Sequence, residues 1–278
     1  MKHVISLDIG GTNIRAAIIN ENYEIIAVVK ERTITHSLDK FLAQVIDVIE
    51  RLEYKRFGPK VIGIGVPGRV RKNGFIDALP NIYLSNIPLA EYVSNHFNLP
   101  VYVKNDAEMA GLCEAVVGAG KNYNNVYFVT ISTGVGAAFV ENKRLKQLLD
   151  EPGHTLIKYK DELYEFEHLA SGNGLLLLAK LNGIEISSAA EFFERVKAND
   201  KTVLPLYHEW LTLISNFFNE LIEFFEPEIF VLSGGVMYSR DVFLDDLKQR
   251  VENAKITTAG FSQDAGLIGA AVYAFQNA

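Results

Sequence analysis

Leu7–Asn20 reads LDIGGTNIRAAIIN, and Phe128–Glu141 reads FVTISTGVGAAFVE. Laid over one another, Thr12 falls on Thr133 and Ala16-Ala17 on Ala137-Ala138, an offset of 133 − 12 = 121 residues. Each stretch is an apolar run, a turn of small residues and a second apolar run, which is the pattern of a β-hairpin. Its repetition predicts two related α/β halves. Glycine in such turns lets the backbone approach a ligand, and N–H groups and hydroxyls can donate to phosphate oxygens. Either turn alone would be no more than a tight hairpin. Two at matched places, with Asp8 beside the first, favour nucleotide binding.

Outward from these turns, strands and helices alternate. Leu38, Phe41, Leu42, Val45, Ile49 and Leu52 have helical spacing, with Ser37 placed to cap. Val61–Val66 and Val101–Val103 read as strands, the second followed by a helix over 107–117. Trp210, Ile214, Phe217, Leu221 and Phe224 stripe a helix that must stop near Pro227. Ile229–Leu232 is a strand running into Ser233-Gly234-Gly235. Neither G-x-x-x-x-G-K-[ST] nor a helix-opening G-x-G-x-x-G is present, which disfavours P-loop and Rossmann proteins. Asp8 could hold Mg²⁺ through water, since that ion dehydrates reluctantly, or serve as a local turn carboxylate.

The bulk properties narrow the classes. Of 278 residues, 49% are hydrophobic and 22% charged, as in ordinary globular chains. No apolar run approaches the ~20 residues of a membrane helix. A first strand starting near His3 leaves no room for a signal peptide, and the single cysteine, Cys113, cannot form an intrachain disulfide. A cytoplasmic protein is the expectation. The net charge of −7 argues against a nucleic-acid binder.

Asn105-Asp106 stands between a strand and a helix, at the carboxyl end where α/β proteins place ligands. Phosphoryl transfer to an alcohol needs a base for the hydroxyl proton, and Asp106 could supply it. Aspartate is equally common as a helix N-cap, so the dipeptide alone leaves both roles open.

The ordered series Asp8-Ile9-Gly10-Gly11-Thr12, Gly65-Val66-Pro67-Gly68, Asn105-Asp106-Ala107, Ser132-Thr133-Gly134-Val135-Gly136, Glu151-Pro152-Gly153-His154, Ala170-Ser171-Gly172, Ser233-Gly234-Gly235 and Asp264–Ala271 resembles the ROK family (repressors, open reading frames and kinases) over nearly the whole chain. The resemblance implies an actin-like (ribonuclease H-like) α/β fold of two lobes, with ATP and sugar in the cleft between them. The expected lobes are 1–110, carrying a returning helix 265–278, and 111–264. It implies that Gly10, Gly11, Thr12, Thr133, Gly134 and Gly136 line the triphosphate and that Gly234 and Gly235 meet adenosine. Asp106 would be the general base. Gly68, Asn81, Asn105, Asp106, Glu151, His154 and Glu167 would meet the sugar, and ATP with Mg²⁺ would be the cofactors. Carboxylates, an amide and an imidazole can read hydroxyls by paired hydrogen bonds. The bland readings are a satisfied, partly buried histidine for His154 and a solvated helix-start carboxylate for Glu167.

Three classes follow: a sugar kinase, a DNA-binding repressor and a non-catalytic sugar sensor. No reading head precedes the first strand, and both phosphate turns and Asp106 are present, so a kinase is expected. Glucose is the first-choice substrate. N-acetylmannosamine is the runner-up, because Gly68-Arg69-Val70 resembles a stretch of some N-acetylmannosamine kinases; other amino sugars and fructose stay open. Many relatives carry structural zinc on a Cys-x-Cys-Gly-x-x-Gly-Cys-x-Glu segment after the histidine. Residues 155–167 contain no cysteine, so no zinc site is expected. Leu156, Ile157, Tyr159, Leu163, Tyr164 and Phe166 would instead form a small satellite apolar cluster. A homodimer using the Trp210–Phe225 helix is possible, although such a stripe is more often core.

Overall fold

The computed structural model describes residues 1–148, 151–261 and 263–278. The chain forms two compact units, one of residues 1–118 and 261–278, the other of residues 119–260.

The first unit opens with the expected hairpin, β1 (His3–Ile9) and β2 (Asn13–Asn20), extended by β3 (Ile25–Arg32). After α1 (Leu38–Glu50) come β4 (Ile62–Val66), the short β5 (Ile76–Leu79) and β6 (Leu84–Ile87), α2 (Leu89–Phe97), β7 (Val101–Asn105) and α3 (Asp106–Val116). The sheet order is β3-β2-β1-β4-β7, with β4 parallel to β1 and to β7. Alternation sorts the two faces. Ile5, Leu7, Ile9, Ile62, Ile64 and Val66 join the apolar cores of α1 and α2 in one cluster. Ser37 sits at the N-cap of α1, but its side chain makes no capping hydrogen bond.

The second unit repeats the plan. The hairpin of β8 (Asn125–Ile131) and β9 (Val135–Glu141) continues into β10 (Arg144–Lys146). A ribbon of β11 (Leu156–Tyr159) and β12 (Glu162–Glu165) follows, then α4 (Glu167–Ala170), α5 (Gly172–Leu181), α6 (Ala189–Lys197), α7 (Leu204–Phe225), β13 (Ile229–Ser233), α8 (Arg240–Arg250) and β14 (Lys255–Thr258). The order β10-β9-β8-β13-β14 matches the first sheet strand for strand, with β13 parallel to β8 and β14. The echo in sequence is therefore an echo in topology.

Trp210, Ile214, Phe217, Phe218 and Leu221 of α7 are buried in this unit's core, so the stripe is core, with Phe224 left exposed. The helix ends at Phe225, with Glu226 left-handed (φ 45°) ahead of Pro227. The ribbon departs from expectation. Tyr159 and Phe166 are buried in the main core, Ile157 and Tyr164 pack against it, and Leu156 and Leu163 are exposed. No satellite cluster is needed, because Phe166 stacks on Phe217 at 4.0 Å between ring centroids.

The last helix, α9 (Ala265–Asn277), belongs to the first unit and lies on the glycine face of its sheet. A β-carbon at Gly63 would lie 2.8 Å from the carbonyl carbon of Ala270, and one at Gly269 would lie 2.5 Å from that of Met109 on α3. Bare backbone thus lets α9 touch both β4 and α3. The Ser6 hydroxyl donates to the Leu267 carbonyl on the same face. The first unit keeps all of α3, so the division falls after Gly118 rather than near residue 110. No helix among the described residues is long and apolar enough to cross a membrane.

Candidate functional site

In the first unit the candidate residues leave the carboxyl ends of three neighbouring strands. β1 runs into Gly10-Gly11-Thr12, β4 into the loop with Gly68, and β7 into Asn105-Asp106. Ligands of α/β sheets gather at such ends. Thr33 shapes the first turn. Its hydroxyl donates to the Gly10 carbonyl at 2.7 Å, and its N–H donates to the Thr12 carbonyl at 3.0 Å. The Thr12 side chain stays exposed. Asn81, on the short turn Pro80–Ile82, packs on Gly11, where a β-carbon would lie 2.8 Å from that of Asn81.

Asn105, not Asp106, caps α3. Its Oδ1 accepts the Ala107 N–H at 2.8 Å, and Glu108 reaches back to accept the Asn105 N–H at 3.2 Å, which completes a capping box. Its Nδ2 donates to the Gly68 carbonyl at 3.1 Å and ties the β4 loop to the β7 end. Asp106 occupies the first helical position, its Oδ1 also within 2.8 Å of the Ala107 N–H.

Asp8 lies opposite Arg15 in the hairpin, and its carboxylate faces Gly266 on the first turn of α9. Burial pushes its carboxyl above the ordinary range; Arg15 opposes this and Asp264 adds to it. Arg15 is itself paired with Asp264.

In the second unit the turn at 132–134 is held by α5. The Gly172 N–H donates to the Ser132 carbonyl at 2.7 Å, and the Ser171 hydroxyl to the Thr133 carbonyl at 3.0 Å. Ser171 also accepts the Gly174 N–H as the cap of α5. Thr133 is left exposed. Gly136 pairs with Thr130 inside the hairpin. Gly234 follows β13 with φ 98°, and a β-carbon there would lie 2.5 Å from the Ile131 carbonyl carbon, so only glycine fits. A β-carbon at Gly235 would lie 3.6 Å from the Ser132 hydroxyl oxygen, an ordinary contact.

Glu151, His154 and Glu167 come together beside this turn. Pro152–His154 is one short 3-10 turn, and Gly153 packs on Val135 of β9. Glu167 opens α4, and its Oε2 accepts the Val135 N–H at 3.0 Å. It is therefore a braced carboxylate rather than a solvated one. His154 Nδ1 lies 2.7 Å from Glu165 Oε2, and its Nε2 lies 3.4 Å from Glu151 Oε2. The hydrogen bond to Glu165 raises the histidine pKa, reinforced by the charges of Glu165, Glu167 and Glu151. Reciprocally, His154 lowers that of Glu165.

Residues 4–277 match the sequence model of the ROK family. The chain belongs to the ROK family. It is 27% identical to a glucokinase of Streptomyces coelicolor over 96% of both chains. It is 28% identical to an N-acetylmannosamine kinase of Haemophilus influenzae over 97% of this chain and 94% of that one. A ROK glucokinase from Streptomyces griseus, solved with glucose and AMPPNP, superposes with a TM-score of 0.75 at 25% identity, covering 99% of each chain. The fold is the actin-like ATPase fold, and the doubled five-stranded sheet is its repeat.

This ROK chain does not offer the thiolate set of the family's zinc segment. His154, Glu165 and Glu167 place ligand atoms within 4.8 Å of one another and could meet a cation. Yet Glu165 already accepts from the imidazole, and Glu167 from the backbone of β9. A structural zinc site takes four ligands, rich in sulfur. Cys113 is buried on α3 in the first unit, where burial pushes its thiol pKa up. The sequence assigned none of Thr33, Ser171 and Glu165 the role it has here. Thr33 has no local signal. Ser171 precedes an apolar run as N-caps do, and Glu165 lies two residues before Glu167, where the zinc pattern has its last cysteine.

Proposed function

We propose that this ROK protein is an ATP-dependent sugar kinase with Asp106 as general base. The observation that carries the reading is the division of labour at the start of α3. Asn105 does the capping, so an aspartate at the carboxyl end of β7 is not needed as a cap. The sugar hydroxyl donates to Asp106, and its proton passes to the carboxylate as the oxygen–phosphorus bond forms and ADP leaves. Gly10, Gly11 and Thr12, and likewise Thr133, Gly134 and Gly136, offer donors to the phosphates. Gly234 and Gly235 give adenosine a surface without side chains. Asp8, whose buried carboxylate a cation would stabilise, would hold Mg²⁺, which would supply positive charge against the phosphates.

Glu151 and His154 read sugar hydroxyls, and so does Glu167 through the oxygen not committed to Val135. Asn105 has a second amide hydrogen for the same purpose, and Gly68 and Asn81 border that edge. No zinc takes part. Glucose is the first-choice acceptor and N-acetylmannosamine the second. Incubation with ATP, Mg²⁺ and a panel of glucose, N-acetylmannosamine, N-acetylglucosamine and fructose, read by ADP release, tests the proposal. Asp106→Asn should keep sugar binding and lower turnover by roughly 10²–10⁴-fold. Sugar binding without ADP release from any acceptor would instead identify a sugar-sensing regulator.

A further inference from the structure

We infer that Glu165 is the positioning residue of His154: its carboxylate accepts a hydrogen bond from Nδ1–H, fixes the tautomer and turns Nε2 toward Glu151 and the sugar. This rests on the reading of His154 as a sugar-binding group. The geometry is local to the second unit and is over-determined by the backbone. His154 closes a turn that Gly153 seats against Val135, and the His154 N–H donates to the Glu151 carbonyl at 2.9 Å. Glu165 is the last residue of β12, in register with Leu156. The next residue, Phe166, donates its N–H to the Thr155 carbonyl at 2.8 Å and is buried on Phe217. Residues 155 and 166 are therefore clamped together, with His154 just before the clamp and Glu165 the first residue inside the ribbon, paired with Leu156. The 2.7 Å separation of Nδ1 and Oε2 follows from where the ribbon begins and ends.

The chemistry of imidazole gives the pair its function. A neutral ring carries one proton, and the hydrogen bond made by one nitrogen decides what the other can do. A carboxylate can only accept, so Nδ1 must be the donor. Nε2 is then an acceptor in the neutral ring and a donor in the charged one. Either state can pair with a sugar hydroxyl, which donates and accepts. His168 Nε2, at 3.6 Å from the same Glu165 oxygen, is beyond hydrogen-bonding distance and does not displace His154. Metal-binding histidines are commonly oriented by a carboxylate on the second nitrogen. Here a carboxylate stands where the zinc pattern has its last cysteine, and it orients the ring directly with no metal between them.

Ring-nitrogen NMR of ¹⁵N-histidine protein, without sugar and at alkaline pH where the imidazole is neutral, reads the tautomer. Wild type should show His154 as Nδ1–H, and Glu165→Ala should lose that bias. Steady-state kinetics on the best acceptor should show the sugar KM of Glu165→Ala raised roughly tenfold, the scale of one misplaced hydrogen bond, with kcat within about threefold. Glu165→Gln, whose amide oxygen can still accept from Nδ1–H, should recover most of the loss. A wild-type Nε2–H tautomer, an unchanged tautomer in Glu165→Ala, or one zinc per purified chain overturns the inference. If no sugar is phosphorylated, the kinase reading fails, and the tautomer result still decides the role of Glu165.

Discussion

Gly269→Ala should be among the most damaging single methyl additions in this protein, for the fold and for the site together. The new carbon would lie 2.5 Å from the Met109 carbonyl carbon and 3.0 Å from its Cα, and nearer still to the carbonyl oxygen. These are backbone atoms of α3, and no rotamer can relieve the clash. Ordinary contact begins near 3.4 Å and the Met109 carbonyl oxygen would lie at 1.7 Å, so α9 and α3 must part by roughly 1.5 Å in a close-packed interior. Overpacking costs about 1–3 kcal/mol where side chains can shift, and backbone against backbone belongs at the upper end. At about 2–4 °C per kcal/mol for a chain of this size, melting of the first unit should fall by roughly 6–12 °C. Asp106 is the first residue of α3, so the same displacement should lower kcat in the protein that still folds. A misplacement of about 1 Å can cost on the order of 10² in rate. Differential scanning calorimetry and ADP release measured well below the melting range check both effects. A melting temperature within about 1 °C of wild type, with normal kcat, would refute the packing argument.

Thr133→Val deletes an exposed hydroxyl from the second turn and should raise the ATP KM while leaving the sugar KM unchanged; unchanged ATP KM would remove Thr133 from the phosphate site. The His154–Glu165 pair sets a pH window. The raised histidine contributes stability that is full below its ordinary pKa of 6.5 and fades as pH rises through the higher folded value. The lowered Glu165 contributes above its ordinary 4.5 and fades as pH falls through the lower folded value. The ribbon should therefore be held most firmly between 4.5 and 6.5, and an NMR titration midpoint for His154 at or below 6.5 would contradict this. Treatment with a strong chelator should abolish activity, and Mg²⁺ alone should restore it; a requirement for added zinc would show that 155–167 had been misread.

What could be read in the chain was whatever repeats or alternates. The two hairpins carry the period of a strand on both sides of a short turn, and the offset of 121 residues between them already implied that the surrounding sheets would match. They do, down to the order of five strands. Side-chain duties that depend on contacts distant in sequence were not legible. Thr33 holds the Gly10-Gly11-Thr12 turn from 23 residues beyond Gly10, and nothing in its own neighbourhood marks it. The apolar residues of 156–166 looked sufficient for a cluster of their own because sequence shows their number and not what they face. Phe217, some fifty residues later, is what Phe166 meets.

The start of α3 shows how a local ambiguity can carry the whole functional argument. Asparagine and aspartate are both good caps, and standing side by side they are interchangeable to a propensity scale. The discriminating signal lay three residues on. Glu108 completes a capping box counted from Asn105, whereas position 109, counted the same way from Asp106, is a buried methionine. That spacing assigns the structural duty to Asn105. An acidic residue then stands at the first helical position, at the carboxyl end of a parallel strand, beside the loop that Asn105 ties down through Gly68. An alanine at 106 would keep the capping box while losing the contact of Asp106 Oδ1 with the Ala107 N–H. The proposed role of Asp106 as proton acceptor for a sugar hydroxyl therefore does not compete with the capping of α3, which Asn105 carries.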